Sequence, residues 1–172
     1  MIRLSWPARG LLLVLAATVI YITFFRDEVF VNINWYLWFL YDRDIQGDTT
    51  AEYHGDPAWY PFFQQFSYDT WKLAKWMLTF VFAAVNFALT AAVVHVLYRK
   101  RQYIRYTLFF YPAIIGVGGF CYATGFIIGA QNTMFEVARV FIHMAQGPLP
   151  IMLLVPAFLV MSSNLAMPKP KE

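Results

Sequence analysis

The chain is short of the residues on which most soluble chemistry is built. It has a single cysteine, Cys121, which excludes an internal disulfide and any multi-cysteine metal site. Charged residues make up only 13% of it, about half the soluble norm of roughly 25%. No phosphate-binding glycine loop and no nucleic-acid motif occurs, and no cofactor signature can be read. What fills the space is apolar: 60% of the residues are hydrophobic and 20% aromatic, with a mean hydropathy of +0.50. These values describe an integral membrane protein whose first partner is the lipid bilayer.

The few charges are segregated. Arg3 and Arg9 precede an apolar run that, counted from Trp6 to Phe25, is long enough to cross a bilayer core. Phe24-Phe25-Arg26-Asp27-Glu28 comes next in place of a small-x-small cleavage site, so the run reads as an uncleaved anchor rather than a signal peptide. Eight of the ten acids then lie between Arg26 and Trp71, interleaved with two aromatic clusters, Trp35 to Tyr41 and Trp59 to Tyr68. The apolar piece Val29–Leu40 is too short to cross. It is expected at the membrane interface, where Trp and Tyr rings favour the headgroup level.

Further crossings are expected at about 71–98, 106–129 and 150–167. In the second, Ala84, Ala88 and Ala92 form a small-residue row suited to close helix contact, and Asn86 lies mid-membrane. In the third, Gly125 and Gly129 form a GxxxG pair, and Gly119 with Ala123 extends the small face. Basic residues recur at Arg99-Lys100-Arg101 with Arg105, and in the 168–172 tail. By the positive-inside rule both termini are cytoplasmic, and the 26–70 stretch forms an outer acidic-aromatic cap. The expectation is one all-α membrane domain over residues 1–172, with four transmembrane helices, in a bacterial inner membrane.

Between the third and fourth crossings, residues 133–146 predict a short outer amphipathic helix, separated from the fourth crossing by a break at Gly147-Pro148-Leu149-Pro150. On it, Asn132, Glu136, Arg139, His143 and Gln146 fall within an arc of roughly 80° at 100° per residue. Such a seam could bind a partner at the outer surface, or could pair Glu136 with Arg139 simply to cap the bundle. Cys121, Arg139 and His143 could alternatively serve as nucleophile, oxyanion-binding group and base of a membrane thiol hydrolase or transpeptidase. Against that reading, a thiol within a membrane helix is held in its inert form by desolvation. His95, Asn86 and His143 could mark an ion or proton path, and the 99–105 loop an anionic-lipid site. His54 with Asp48, Glu52 and Asp56 reads as a solvated acidic loop, not a metal site.

Ala138-Arg139-Val140-Phe141-Ile142, succeeded by Pro148 and by Leu153-Leu154-Val155-Pro156-Ala157-Phe158, resembles the small exosortase-system-associated membrane proteins encoded beside exosortases of the F and X types. Phe24-Phe25-Arg26-Asp27 and Asn34-Trp35-Tyr36 add to the resemblance. It implies an accessory protein that binds a protein-sorting transpeptidase or its substrate at the outer face, with no established activity of its own. Exosortases use a Cys, Arg and His set, but their local motifs are not found around Cys121, Arg139 or His143.

Overall fold

A computed structural model describes residues 5–164, so Arg3, the 168–172 tail and the last three positions expected of the fourth crossing lie outside the described residues. The described chain is helical: α1 (Trp6–Leu40), a π-helical turn (Tyr41–Ile45), α2 (Tyr60–Phe63), α3 (Tyr68–Tyr98), α4 (Arg101–Ile128), α5 (Gln131–Gln146) and α6 (Leu149–Asn164). Three helices, α1 with its π turn, α3 and α4, are long and apolar enough to cross a membrane. A fourth crossing exists if α5 and α6, bent by 67° at their junction, count as one span. The chain divides into two compact units, 5–20 with the residues from Ala83 onward, and Tyr21–Phe82.

In the Tyr21–Phe82 unit the expected end of the first helix at Phe25 does not occur. No glycine or proline stands between Gly10 and Gly47, and a run of charges does not by itself interrupt a helical hydrogen-bond ladder. The helix therefore carries through Arg26-Asp27 to Leu40, and Val29–Leu40 is its continuation, not a separate interfacial piece. Gly47, at φ +74°, makes the left-handed turn that only glycine adopts cheaply. Val29, Ile33, Tyr36, Phe39 and Leu40 then form one wall of an aromatic core completed by Phe63 and Trp71. The Tyr36 and Phe63 rings stack at 5.2 Å, and Phe63 meets Trp71 edge-on at 4.7 Å. The Trp71 indole N–H donates to the Phe63 carbonyl at 2.9 Å, as a buried indole requires.

The loop before α2 hangs on Asn32. Its side-chain oxygen accepts the Asp56 backbone N–H at 2.8 Å, and its amide donates to the Glu28 carbonyl at 2.9 Å. Asp48 accepts the backbone N–H and hydroxyl of Thr50, which hold its carboxyl below the usual carboxylate range. That local turn is present at neutral pH and is lost as acid protonates the carboxylate. His54 meets the edge of Trp35 at 5.8 Å. Among the described residues, no three His, Cys, Asp or Glu side chains gather as metal ligands.

In the other unit the dominant packing is α4 against α5. Gly129, at φ +72°, closes α4 and reverses the chain, so α5 begins at Gln131. A β-carbon added at Gly125 would lie 2.6 Å from Met134 Cβ, and one at Gly118 would lie 3.2 Å from the Ala138 carbonyl and 3.3 Å from Phe141 Cβ. Deeper still, Tyr111 and Ile114 share a core with Ala145. The close face of α4 is thus Gly118 with Gly125. Gly119 looks into open space and Gly129 serves as the cap. On α3 the buried positions include Ala83, Asn86, Thr90, Val93 and Val94, while Ala84 and Ala88 of the expected small-residue row are exposed.

Two substitutions separate these faces. Gly125→Leu forces atoms against the rigid base of Met134, and overpacking of this kind costs about 1–3 kcal/mol. Gly119→Ala instead gains helix propensity of about 0.5–1 kcal/mol with nothing to collide with. Thermal unfolding in detergent should therefore show a lower midpoint for Gly125→Leu and an unchanged or higher one for Gly119→Ala. Equal behaviour of the two would contradict the close α4–α5 contact at Gly125.

Candidate functional site

The features that set this chain apart from a plain bundle meet where α5 breaks. Proline supplies no N–H, so Pro150 leaves the Gln146 carbonyl, four residues earlier, without its helical donor. The Asn86 side-chain amide replaces that donor across the unit, reaching the Gln146 carbonyl at 2.7 Å with both groups buried. Pro148 likewise vacates the Met144 carbonyl, which is taken up by the Gly147 N–H at 3.3 Å. Below Asn86, the Tyr111 and Thr90 hydroxyls bond at 2.7 Å, and Thr90 donates to the Asn86 carbonyl at 2.7 Å. A hydroxyl, an amide and a backbone carbonyl form one buried polar chain across three helices.

The break also decides where α6 goes. Leu154 and Phe158 enter a core with Val94 and Tyr103, and the Tyr98 hydroxyl donates to the Val155 carbonyl. The Phe158 ring lies 5.9 Å from that of Tyr98 and 4.8 Å from that of Tyr103. From the level of Asn86 and Tyr111, α6 therefore travels beside the remaining turns of α3 to the basic connection at Arg99. α5 and α6 thus leave the break in different directions, bent by 67° from each other.

The polar seam lies on α5, which runs back antiparallel along α4. The Ala138–Ile142 turn sits at Gly118, ten residues from the end of α4 at Ile128, or roughly 15 Å of helix rise. The seam lies beside apolar helix, not beyond it. Met134, Ala138 and Ala145 occupy the face of α5 that meets α4, so at 100° per residue Glu136, Arg139 and His143 fall on the far side. Their exposure agrees: the Arg139 and Glu136 side chains are 53% and 67% accessible.

Within the seam, the Arg139 guanidinium approaches Glu136 at 3.7 Å and donates through Nε to His143 Nε2 at 3.4 Å. Asn132 is exposed in the first turn, whereas Gln146 is buried at the break and belongs to the structural network. Glu136 is the one acid between Thr70 and Lys171. The seam is a carboxylate, a guanidinium and an imidazole in a row, suited to exchanging hydrogen bonds with a polar segment of another molecule.

The thiol chemistry weighed from sequence lacks this geometry. Cys121 is partly buried on α4, while Arg139 and His143 lie on the face of α5 turned away from α4. His95 is exposed near the C-terminus of α3, about nine residues beyond Asn86, and does not join the buried polar chain. Sequence reasoning did not single out Thr90 and Tyr111. Their signal was a hydroxyl at each expected depth of two apolar helices, which is too common in membrane helices to stand out.

Asn86→Leu removes the side-chain donor to the buried Gln146 carbonyl, at a cost of about 1–3 kcal/mol. Cys121→Ala removes only a partly buried sulfur. Thermal melts of the purified chain should separate them, with a clear loss for Asn86→Leu and little change for Cys121→Ala. A melt of Asn86→Leu equal to that of the parent would show that the break is held by something other than this bond. Comparison with protein-family models, curated proteins and solved structures finds no match, so the geometry carries the functional reading.

Proposed function

We propose that this chain is an accessory membrane protein of an exosortase-type sorting system, in which the Glu136–Arg139–His143 face of α5 seats a membrane-embedded segment of the sorting enzyme or its substrate. One observation carries the reading. Charged side chains stand exposed along a helix that packs antiparallel on an apolar, membrane-length helix. Ionisable groups at such depth are stable only when they face protein or water, because lipid solvates neither charge nor hydrogen-bonding groups. An intact ion pair lowers that cost but leaves the outer edges of both groups without donors or acceptors.

The same chemistry selects the occupant. A lipid tail offers nothing to Glu136 or Arg139, and one apolar helix would bury them unpaired. A partner segment carrying its own hydrogen-bonding groups satisfies them. The sequence resemblance of Ala138–Ile142 and Leu153–Phe158 names an exosortase as that partner. The distribution of basic residues supports cytoplasmic termini in a bacterial inner membrane, with the acidic-aromatic stretch on the outer side. At 35 residues, α1 is about 50 Å long, against a hydrocarbon core of about 30 Å.

Arg139→Leu keeps the side chain's bulk and removes its charge and donors. Co-purification from mild detergent with a co-expressed exosortase should fall at least tenfold, while the variant keeps its thermal midpoint within a few degrees. Glu136→Leu should act in the same direction. Undiminished capture of the enzyme by both variants, with normal substrate processing in cells, would remove the basis of this reading.

A further inference from the structure

A second site lies at the basic end of the same unit, apart from the α5 seam. The first turns of α1 and the last turns of α3 line an open cleft of about 450 Å³. Its polar lining is Ser5, His95 and Arg99, and its apolar lining includes Pro7, Leu11 and Val96. The lining thus combines a serine, a histidine and an arginine with aliphatic residues. No acid occurs between Met1 and Arg26 or between Thr70 and Phe135, so the segments that form the cleft supply no carboxylate to neutralise it. Arg99 makes no ion pair among the described residues. Lys100 and Arg101 come directly after it and add to the positive field.

The backbone gives an independent reason to ask what Arg99 is for. It closes α3, its N–H bonded to the His95 carbonyl at 2.9 Å, in the left-handed conformation at φ +52°. That position is ordinarily glycine's, because a β-carbon there crowds the neighbouring carbonyl. Gly129 fills the equivalent position at the end of α4. An arginine at the end of α3 accepts strain that glycine would avoid, and what it adds is a guanidinium at the cleft.

We propose that this cleft binds the phosphodiester headgroup of an anionic glycerophospholipid from the adjoining leaflet. Arg99 holds the phosphate oxygens in a forked, charge-assisted contact. The Ser5 hydroxyl and the His95 imidazole supply further donors, and Leu11 and Val96 lie along the start of the acyl chains. The aliphatic lining is what favours a lipid over a free anion, since inorganic phosphate leaves it wet.

Arg99→Gly tests this against a purely structural role. Glycine suits the left-handed cap better than arginine, so if Arg99 served only the fold, the variant would melt at the same or a higher temperature and respond to lipid as the parent does. The proposal predicts the same or a higher melting temperature without lipid, together with weaker lipid retention. Purified chain would be titrated with dihexanoyl phosphatidylglycerol, dihexanoyl phosphatidylcholine and inorganic phosphate, with binding read by native mass spectrometry and thermal shift. The parent should prefer phosphatidylglycerol, and Arg99→Gly should bind it about fivefold more weakly, the effect of about one basic residue near an anionic surface. Arg99→Gln, which keeps the stem and a neutral amide, should fall with it. Equal phosphatidylglycerol binding by parent and both variants would overturn the assignment. So would a full response to inorganic phosphate alone, which would make the ligand a free anion.

Discussion

In the larger unit the break between α5 and α6 is bridged by a hydrogen bond from the Asn86 amide to the Gln146 carbonyl. In a medium without water each backbone carbonyl must find a donor within the protein. Two prolines around Gly147 remove two such donors in succession, and a helix so interrupted is stable in lipid only if a neighbouring side chain supplies the replacement. Asn86 does so from α3, and Thr90 and Tyr111 extend the support to α4. With the break held at that level, α5 is free to lie along α4 and α6 along the end of α3. Without it, α5 and α6 would have no defined junction, and the seam on α5 no defined position along α4.

The α4–α5 contact is the second consequence of the same arrangement. Helices approach closely in lipid where small residues let the backbones meet, since apolar side chains gain little over lipid tails. Gly118 and Gly125, seven residues apart and so on one face of α4, provide that approach and take Ala138 and Met134 of α5. A helix that is amphipathic then has its apolar face turned to α4 and its charges turned outward. The proposed docking role of Glu136, Arg139 and His143 rests on this geometry. The seam is created by packing, because the same residues on a helix lying flat at a surface would simply be solvated.

The Tyr21–Phe82 unit uses different means. Its core is built of aromatic rings meeting at 4.7 to 6.5 Å, closed by the Trp71 indole bond and by Asn32, which fastens the loop. Edge-to-face pairs combine large buried area with fixed geometry, which suits a small unit with little regular structure besides its helices. The acids that crowd this segment in sequence stay on its outside: Asp44 and Asp48 are solvent-exposed, each satisfied by a neighbour within two residues.

From residues alone, the helical class, the membrane-length apolar runs and the break at Gly147-Pro148 were all legible. Each stems from a local property: side-chain hydrophobicity, helix rise and the missing proline donor. The glycines of α4 and alanines of α3 were visible as small-residue rows, but which row meets a neighbour was not. Ala84 and Ala88 stay exposed, and Gly119 faces open space. Contact depends on helix rotation, which no single helix encodes. The end of α1 was misplaced because a change of polarity at Arg26 resembles a boundary, whereas only proline, glycine or a lost cap ends a helix. The position of the Glu136–His143 seam along α4 was decided by tertiary structure alone. It is set by the level on α3 and α4 at which the broken carbonyl at Gln146 finds its donor, and that donor lies 60 residues away in the chain.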